Sequence, residues 1–167
     1  MPAGELSYAC ASQMLPITMQ QILDYLLEYA NTILNRYRDQ WHGTPLFFDG
    51  CNTFTGEPVT WRNVDGTEWV LSNLASQQNL FRFLTALTTL TGEQKYKQAA
   101  KDAIAWHFEH ADSSGLVHWG GHCFLDLKTL KVVGPENKNR YHELKHHCPF
   151  YELMHEVDPA ATARMIK

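Results

Sequence analysis

Two helical patterns meet at a single glycine, and that junction limits the architectures open to this 167-residue chain. Leu74, Leu80, Phe81, Leu84, Leu87 and Leu90 recur at helical spacing ahead of it, and Tyr96, Ala99, Ala100, Ala103, Ile104 and His107 recur behind it. Gly92 supplies the left-handed stop between the two. So short a connection makes the helices, expected near 73–90 and 93–110, antiparallel neighbours in a helical hairpin. A longer helix is expected upstream, near 18–39. There Thr18 and Gln21 form a capping box after Pro16, and Met19, Ile22, Leu23, Leu26, Leu27, Ala30, Ile33, Leu34 and Tyr37 share one face.

The remaining segments alternate with these helices as short β-excursions. Val59-Thr60-Trp61-Arg62 and Thr67-Glu68-Trp69-Val70 bracket the turn signal Asp65-Gly66, which predicts a hairpin near 59–70. Cys123 to Leu127 and Leu130 to Val133 around Lys128-Thr129 predict a second near 123–133. A further helix is expected near 138–147, stopped by Pro149, and a last one is capped by Asp158 with Pro159 at its first position. Gly56 to Trp61 and Gly115 to Trp119 echo each other weakly, each placing Gly, then Val, then one residue, then Trp. The fold class these patterns imply is mainly α: a partial α/α toroid of helical hairpins with short β-hairpin excursions. Residues 1–15 read as an N-terminal extension and 16–167 as the N-terminal part of the toroid domain. Two or three hairpins do not close a ring, and the helical pattern reaches Lys167 without a cap. The expectation is a portion of something longer.

Composition excludes several function classes. With 44% hydrophobic and 19% charged residues, the chain is no disordered tail. Fourteen Lys and Arg against eighteen Asp and Glu give a net charge of −4 without a basic block. Neither nucleic acid nor a membrane surface is therefore an expected partner. No apolar run approaches the ~20 residues of a membrane span. Met1 to Ser12 lack the basic and apolar regions of a secretory signal, so the expected location is cytoplasmic or periplasmic. Cys10, Cys51, Cys123 and Cys148 are scattered without a C-x-x-C pair, which speaks against a zinc ribbon or a disulfide scaffold.

Histidine is where chemistry concentrates: eight of nine lie between His107 and His155. His142-Glu143-Leu144-Lys145-His146 matches the H-E-x-x-H of zinc proteases, in which two histidines one turn apart bind zinc beside a glutamate base. The downstream context is poor, because Pro149 and Glu152 stand where the extended form of that motif needs glycine and histidine. His107 and His110, three apart at a helix end, suit one metal, and suit equally an imidazolium stabilised by the helix dipole. In Trp119-Gly120-Gly121-His122 two glycines deliver a histidine beside a tryptophan, an arrangement that fits a sugar ring or a tight packed turn.

Longer strings resemble one family. Trp119-Gly120-Gly121-His122 to Asp126-Leu127-Lys128-Thr129, Val133-Gly134-Pro135-Glu136-Asn137-Lys138 and His142-Glu143-Leu144-Lys145 resemble polysaccharide lyase family two, the α/α-toroid pectate and exopolygalacturonate lyases. Upstream the resemblance runs through Thr55-Gly56-Glu57-Pro58-Val59, Trp61-Arg62 and Ser72 to Leu80, and downstream to Asp158-Pro159 and Ala163 to Ile166. It covers nearly everything after the first fifteen residues and corresponds to the family's N-terminal portion.

The resemblance implies metal-assisted β-elimination of polygalacturonate or oligogalacturonate. A divalent transition metal, Mn2+ by preference, would be held by His122 and Glu143, with His142 and His146 either incidental or in the shell around the ligands. Trp119, Trp61 and Arg62 are the candidates for substrate contact. The family's second metal histidine and its adjacent arginine base match nothing here and would fall beyond Lys167. This leaves no catalytic residue to assign and predicts an inactive chain in isolation. The alternatives are a non-catalytic helical module that binds acidic oligosaccharide and, less favoured, a zinc protease at 142–146.

Overall fold

The computed structural model describes residues 17–118, 123–134 and 148–166. Helix α1 spans Met19–Arg36 and opens on the expected capping box: Gln21 N donates to Thr18 Oγ1 (3.2 Å), and Thr18 N donates to Gln21 Oε1 (2.9 Å). The helix ends three residues before the expected limit because the chain turns at Asp39. The Asp39 carboxylate accepts from the amides of Trp41, His42 and Thr44 and from the Thr44 hydroxyl. Burial works to raise its pKa, but these four donors together outweigh it and hold the group below the usual carboxylate range. The folded-back loop brings Leu46, Phe47 and Phe48 into the interior.

Helices α2 (Gln78–Thr91) and α3 (Gln94–Glu109) form the expected hairpin. Gly92 has φ +78°, and its N–H donates to Thr88 O (2.8 Å), the left-handed stop the sequence signals. α2 starts five residues later than expected. Asn73 spends its side chain on a turn first, accepting from Ala75 N and donating to Cys123 O, both at 2.8 Å. Phe81, Leu84 and Leu87 pack against Tyr96, Ala99, Ala100, Ala103 and Ile104, with Ala30 and Ile33 of α1 closing the same core. The small alanines of α3 let its neighbours approach closely.

Strands β1 (Thr60–Arg62) and β2 (Glu68–Ser72) form the first expected hairpin, β3 (Phe124–Asp126) and β4 (Lys131–Val133) the second. Sequence reading left the two as separate excursions. They instead join through β2 and β3 into one antiparallel sheet of order β1-β2-β3-β4, with Leu71 opposite Asp126 and Ser72 opposite Leu125. The joint is fastened by a side chain. Asp126, 2% exposed, accepts from Val70 N at 3.0 Å and from the Thr129 hydroxyl at 2.7 Å, while Leu127 N donates to Val70 O at 2.8 Å. Val70, Leu125 and Leu127 then meet Leu46 and Phe48 in a second small core.

Helix α4 (Tyr151–Val157) is absent from the sequence reading, whereas α5 (Pro159–Ile166) starts as expected, with Ala161 N donating to Asp158 Oδ1 at 2.8 Å. Gln78 at the head of α2 accepts from Phe150 N (2.6 Å), and Leu153 and Met154 are buried against the main core. Contacts distant in sequence thus hold a helix too short to be read from periodicity. The helix expected near 138–147 and the N-terminal extension lie outside the described residues.

Replacing Asp126 by Ala leaves the buried Val70 amide and the Thr129 hydroxyl without their acceptor. Asp126→Ala is expected to cost about 2–3 kcal/mol in a denaturant titration. A loss below about 0.5 kcal/mol would show that the joint does not depend on this side chain.

Candidate functional site

The β1–β2 hairpin carries the two described substrate-contact candidates. Trp61 lies directly opposite Trp69 in the ladder, so the two indoles share a sheet face. Phe124 of β3 joins them, stacking on Trp61 with ring centroids 6.4 Å apart and planes inclined by 26°. Trp61 remains 56% exposed, and Val64 at the hairpin tip is fully exposed. Together with Arg62, Asn63 and Gly134 these residues line an open groove of about 450 Å³. The tip is shaped by Gly66 at φ +87° and by Asp65, whose side chain accepts from Thr67 N (2.9 Å).

One carboxylate balances the cation of this groove. Arg62 donates from Nη2 (2.7 Å) and Nε (3.2 Å) to Glu68 Oε1, across the ladder where the two residues are register partners. Arg62 holds the Glu68 carboxyl below its ordinary range, first through the hydrogen bond and then through charge, with Lys128 adding to the effect. Both side chains face solvent, so the pair adds little to stability and can exchange partners. Sequence reading found Trp61 and Arg62 but missed Trp69, Phe124 and Glu68. Trp69 and Glu68 follow from hairpin register, a signal already present in the sequence; Phe124 depends on β2–β3 pairing, which is not.

His122, Glu143 and Trp119 lie outside the described residues, as do His142 and His146 of the protease-like pattern. The structure does describe where their segments leave the sheet. Phe124 pairs with Val133, so the next positions along the ladder are Cys123 and Gly134, side by side. One follows His122 in the chain and the other precedes the segment of Glu143. The far end of that segment is held at Cys148, whose carbonyl accepts from Arg82 Nη2 at 2.6 Å. No group of three potential metal ligands occurs among the described residues.

His107 and His110 resolve differently from each other. His107 is buried, and burial, with His110 and His118 adding to it, lowers its pKa to about 3. It is therefore neutral at the helix end, not the dipole-stabilised imidazolium that its position would suit. His110 lies flat on Trp106 (3.8 Å between centroids, 9° between planes), and its Nδ1 donates to Trp106 O at 2.8 Å. His118, Leu125, Leu130 and Val132 complete a cavity of about 200 Å³ with these side chains.

A second polar cavity, about 340 Å³, lies between α1, residues 47–53 and the start of α2. Asp49 sits on it, accepting from Asn73 N (2.8 Å) and Gln77 Nε2 (2.9 Å) while its outer side meets solvent. Crowding of the carboxyl by the cavity walls outweighs these donors and pushes its pKa up to about 6. A carboxyl raised in the folded state stabilises most below its unfolded pKa near 3.8 and loses that contribution as pH rises through about 6. Asp49→Asn, which keeps an acceptor but cannot ionise, is expected to remove this loss. Screened by its solvent-facing side, the gain relative to the parent chain should be about 1 kcal/mol at pH 7 and vanish at pH 3.5, read from paired thermal melts.

No helix among the described residues is long and apolar enough to cross a membrane. Comparison with known proteins adds the family. The family described as periplasmic pectate lyase matches residues 44–167. A pectate disaccharide-lyase of Dickeya dadantii (strain 3937) is 38% identical over 151 residues, which is 87% of this chain and 28% of that protein. The chain thus spans little more than a quarter of the length of this relative. Matched over residues 44–167 and through strings such as Trp119-Gly120-Gly121-His122 and His142-Glu143-Leu144-Lys145, the chain belongs to the pectate lyases of polysaccharide lyase family two, as their N-terminal portion.

Proposed function

We propose that this chain carries the substrate groove and two metal ligands of a lyase that cleaves polygalacturonate by β-elimination, on an α/α-toroid scaffold. The observation that best supports the reading is the β3–β4 ladder. It sets Cys123 beside Gly134, so the segments bearing His122 and Glu143 depart from neighbouring points. An imidazole nitrogen and a carboxylate form a mixed N/O donor pair suited to a manganese-type ion with open positions for substrate oxygens. When bound, such an ion supplies Lewis-acid neutralisation of the uronate carboxylate, which acidifies the neighbouring C5 proton.

The chain's own part is binding and orientation. The Trp61 face, flanked by Phe124, offers an apolar plate to the C–H face of a sugar ring, and Arg62 offers a guanidinium edge to its carboxylate. Abstraction of the C5 proton needs a base, which the family resemblance pairs with a second histidine that no string of this chain matches. Placement in the periplasm follows the description of the matching family.

Two outcomes test this. Mn2+ added to the purified chain should lose part of its free-ion electron paramagnetic resonance signal, and His122→Ala and Glu143→Gln should each restore it, weakening affinity at least about tenfold. Unchanged binding in both variants would remove these residues from the site. With Mn2+ and polygalacturonate present, the chain should release no unsaturated product, because loss of a general base alone costs about 10²–10⁴-fold. Robust ultraviolet absorbance growth from the unsaturated sugar would mean that a base resides within these residues.

A further inference from the structure

The polar cavity at Asp49 continues along helix α1. A neighbouring hollow of about 250 Å³ shares Tyr29, Tyr37, Cys51 and Thr53 with it and reaches Tyr25 and Glu28. Together they form a trough, whose larger part, about 340 Å³, is within the range of small-molecule sites. The side along α1 is aromatic. Tyr25 and Tyr29 are about one helical turn apart and exposed, and Tyr29 is braced against Phe83 with ring centroids 5.7 Å apart.

The opposite wall is polar and fixed in place. Asp49 N donates to Leu71 O (2.9 Å), which ties the residue to the end of β2. Asn73 N and Gln77 Nε2 both donate to Oδ1 of Asp49, so Oδ2 keeps its capacity to accept. Gln77, 3% exposed, also spends Nε2 on Phe47 O and Ser72 Oγ, and this fixes which way its amide faces. Its Oε1 is then a buried acceptor without a hydrogen-bond partner among the described residues. No Lys or Arg among the described residues lines either hollow, and Arg36 lies against Gly56 instead.

We propose that this trough is a second saccharide site, separate from the hairpin groove, which takes an uncharged pyranose ring laid on Tyr29 with a hydroxyl donating to Asp49. Tyrosine offers an apolar face to the C–H side of the ring and a phenol to its rim. Gln77 Oε1, on the same wall, is a second acceptor that a ring hydroxyl satisfies. Asp49 and Glu28 repel an anion and no cation in the lining offsets them, so a free uronate is disfavoured. A neutral sugar and a methyl-esterified uronate present the same uncharged ring. This site does not depend on the acidic-saccharide reading, which concerns the hairpin groove.

Amide chemical shifts of the isotope-labelled chain locate binding, with Gly50, Cys51 and Thr53 reporting the trough and Asn63 and Val64 the hairpin groove. The probes are galactotriose, fully methyl-esterified trigalacturonate and trigalacturonate itself. At least one uncharged sugar should move the trough amides in the millimolar range and bind there more tightly than the acid. Movement with galactotriose alone assigns a neutral sugar, and movement with the ester alone an esterified uronate. Tyr29→Ala should weaken that binding at least about fivefold through loss of the apolar face, and Tyr29→Phe should largely keep it. Asp49→Asn puts an amide nitrogen in place of the outer oxygen. It should weaken the uncharged sugar about fivefold, because a charged acceptor is lost. The same change should tighten trigalacturonate at the trough about threefold, from removal of one like charge at roughly 6 Å in a solvated site. General loss of structure would move both ligands the same way, so the crossover separates a contact from a merely structural role.

No shift of the trough amides by either uncharged sugar, or equal or tighter binding of the acid there, overturns the proposal. So does a Tyr29→Ala variant that binds the uncharged sugar as well as the parent does. An Asp49→Asn variant that leaves the uncharged sugar unaffected, or fails to move the acid the opposite way, overturns it too. Tetramethylammonium moving these amides where the sugars do not would make the trough a cation site instead.

Discussion

A single buried carboxylate decides whether the β-segments of this chain form two loose hairpins or one sheet. Three-residue strands cannot sustain themselves, and a two-stranded hairpin is marginal in water. Asp126 lends β2 and β3 a side-chain acceptor where the ladder between them is only two residue pairs long. The sheet so formed covers Leu46 and Phe48, and the loop carrying those residues is closed in turn by Asp39. Thus a helical hairpin supplies the main core, while two aspartates fasten the β-layer that carries the groove.

The same linkage explains what was legible in the sequence. Local chemistry was readable: the Thr18 box, the Gly92 stop and the Asp158 cap each depend on residues within a few positions. Strand pairing across more than fifty residues was not, since the partner of Leu71 is Asp126 and no short-range signal names it. Helix α4 escaped for a related reason. Its seven residues are set by Gln78, far upstream, and by burial of Leu153 and Met154. Asn73 shows the opposite failure, an apolar-looking helical start delayed because a polar side chain found better partners in a turn.

At the site, residue type proved a poorer guide than surroundings. His107 and His110 are equally good metal ligands on spacing, yet one is buried and neutral and the other is spread on Trp106 with one ring nitrogen committed to a carbonyl. Trp61 and Arg62 were visible from the strings shared with the lyases. Their neighbours Trp69 and Phe124 have chemical meaning only once the register sets them along the groove.

The groove and the end of the β3–β4 ladder that leads to His122 on one strand and toward Glu143 on the other share one support. Phe124 is at once a wall of the groove and the register partner of Val133, the last strand residue before Gly134. Val133 and Gly134 lead into the segment of Glu143, and Cys123 leads out of the segment of His122. A displacement of β3 would therefore move the aromatic wall of the groove and the Cys123–Gly134 end of the ladder together, whereas a change in β1 would disturb the groove alone. Because β3 is fixed to β2 through Asp126, a residue outside the groove lining governs the spacing between the groove and that end of the ladder. Strand β1, paired on one side only, can change without cost to that spacing.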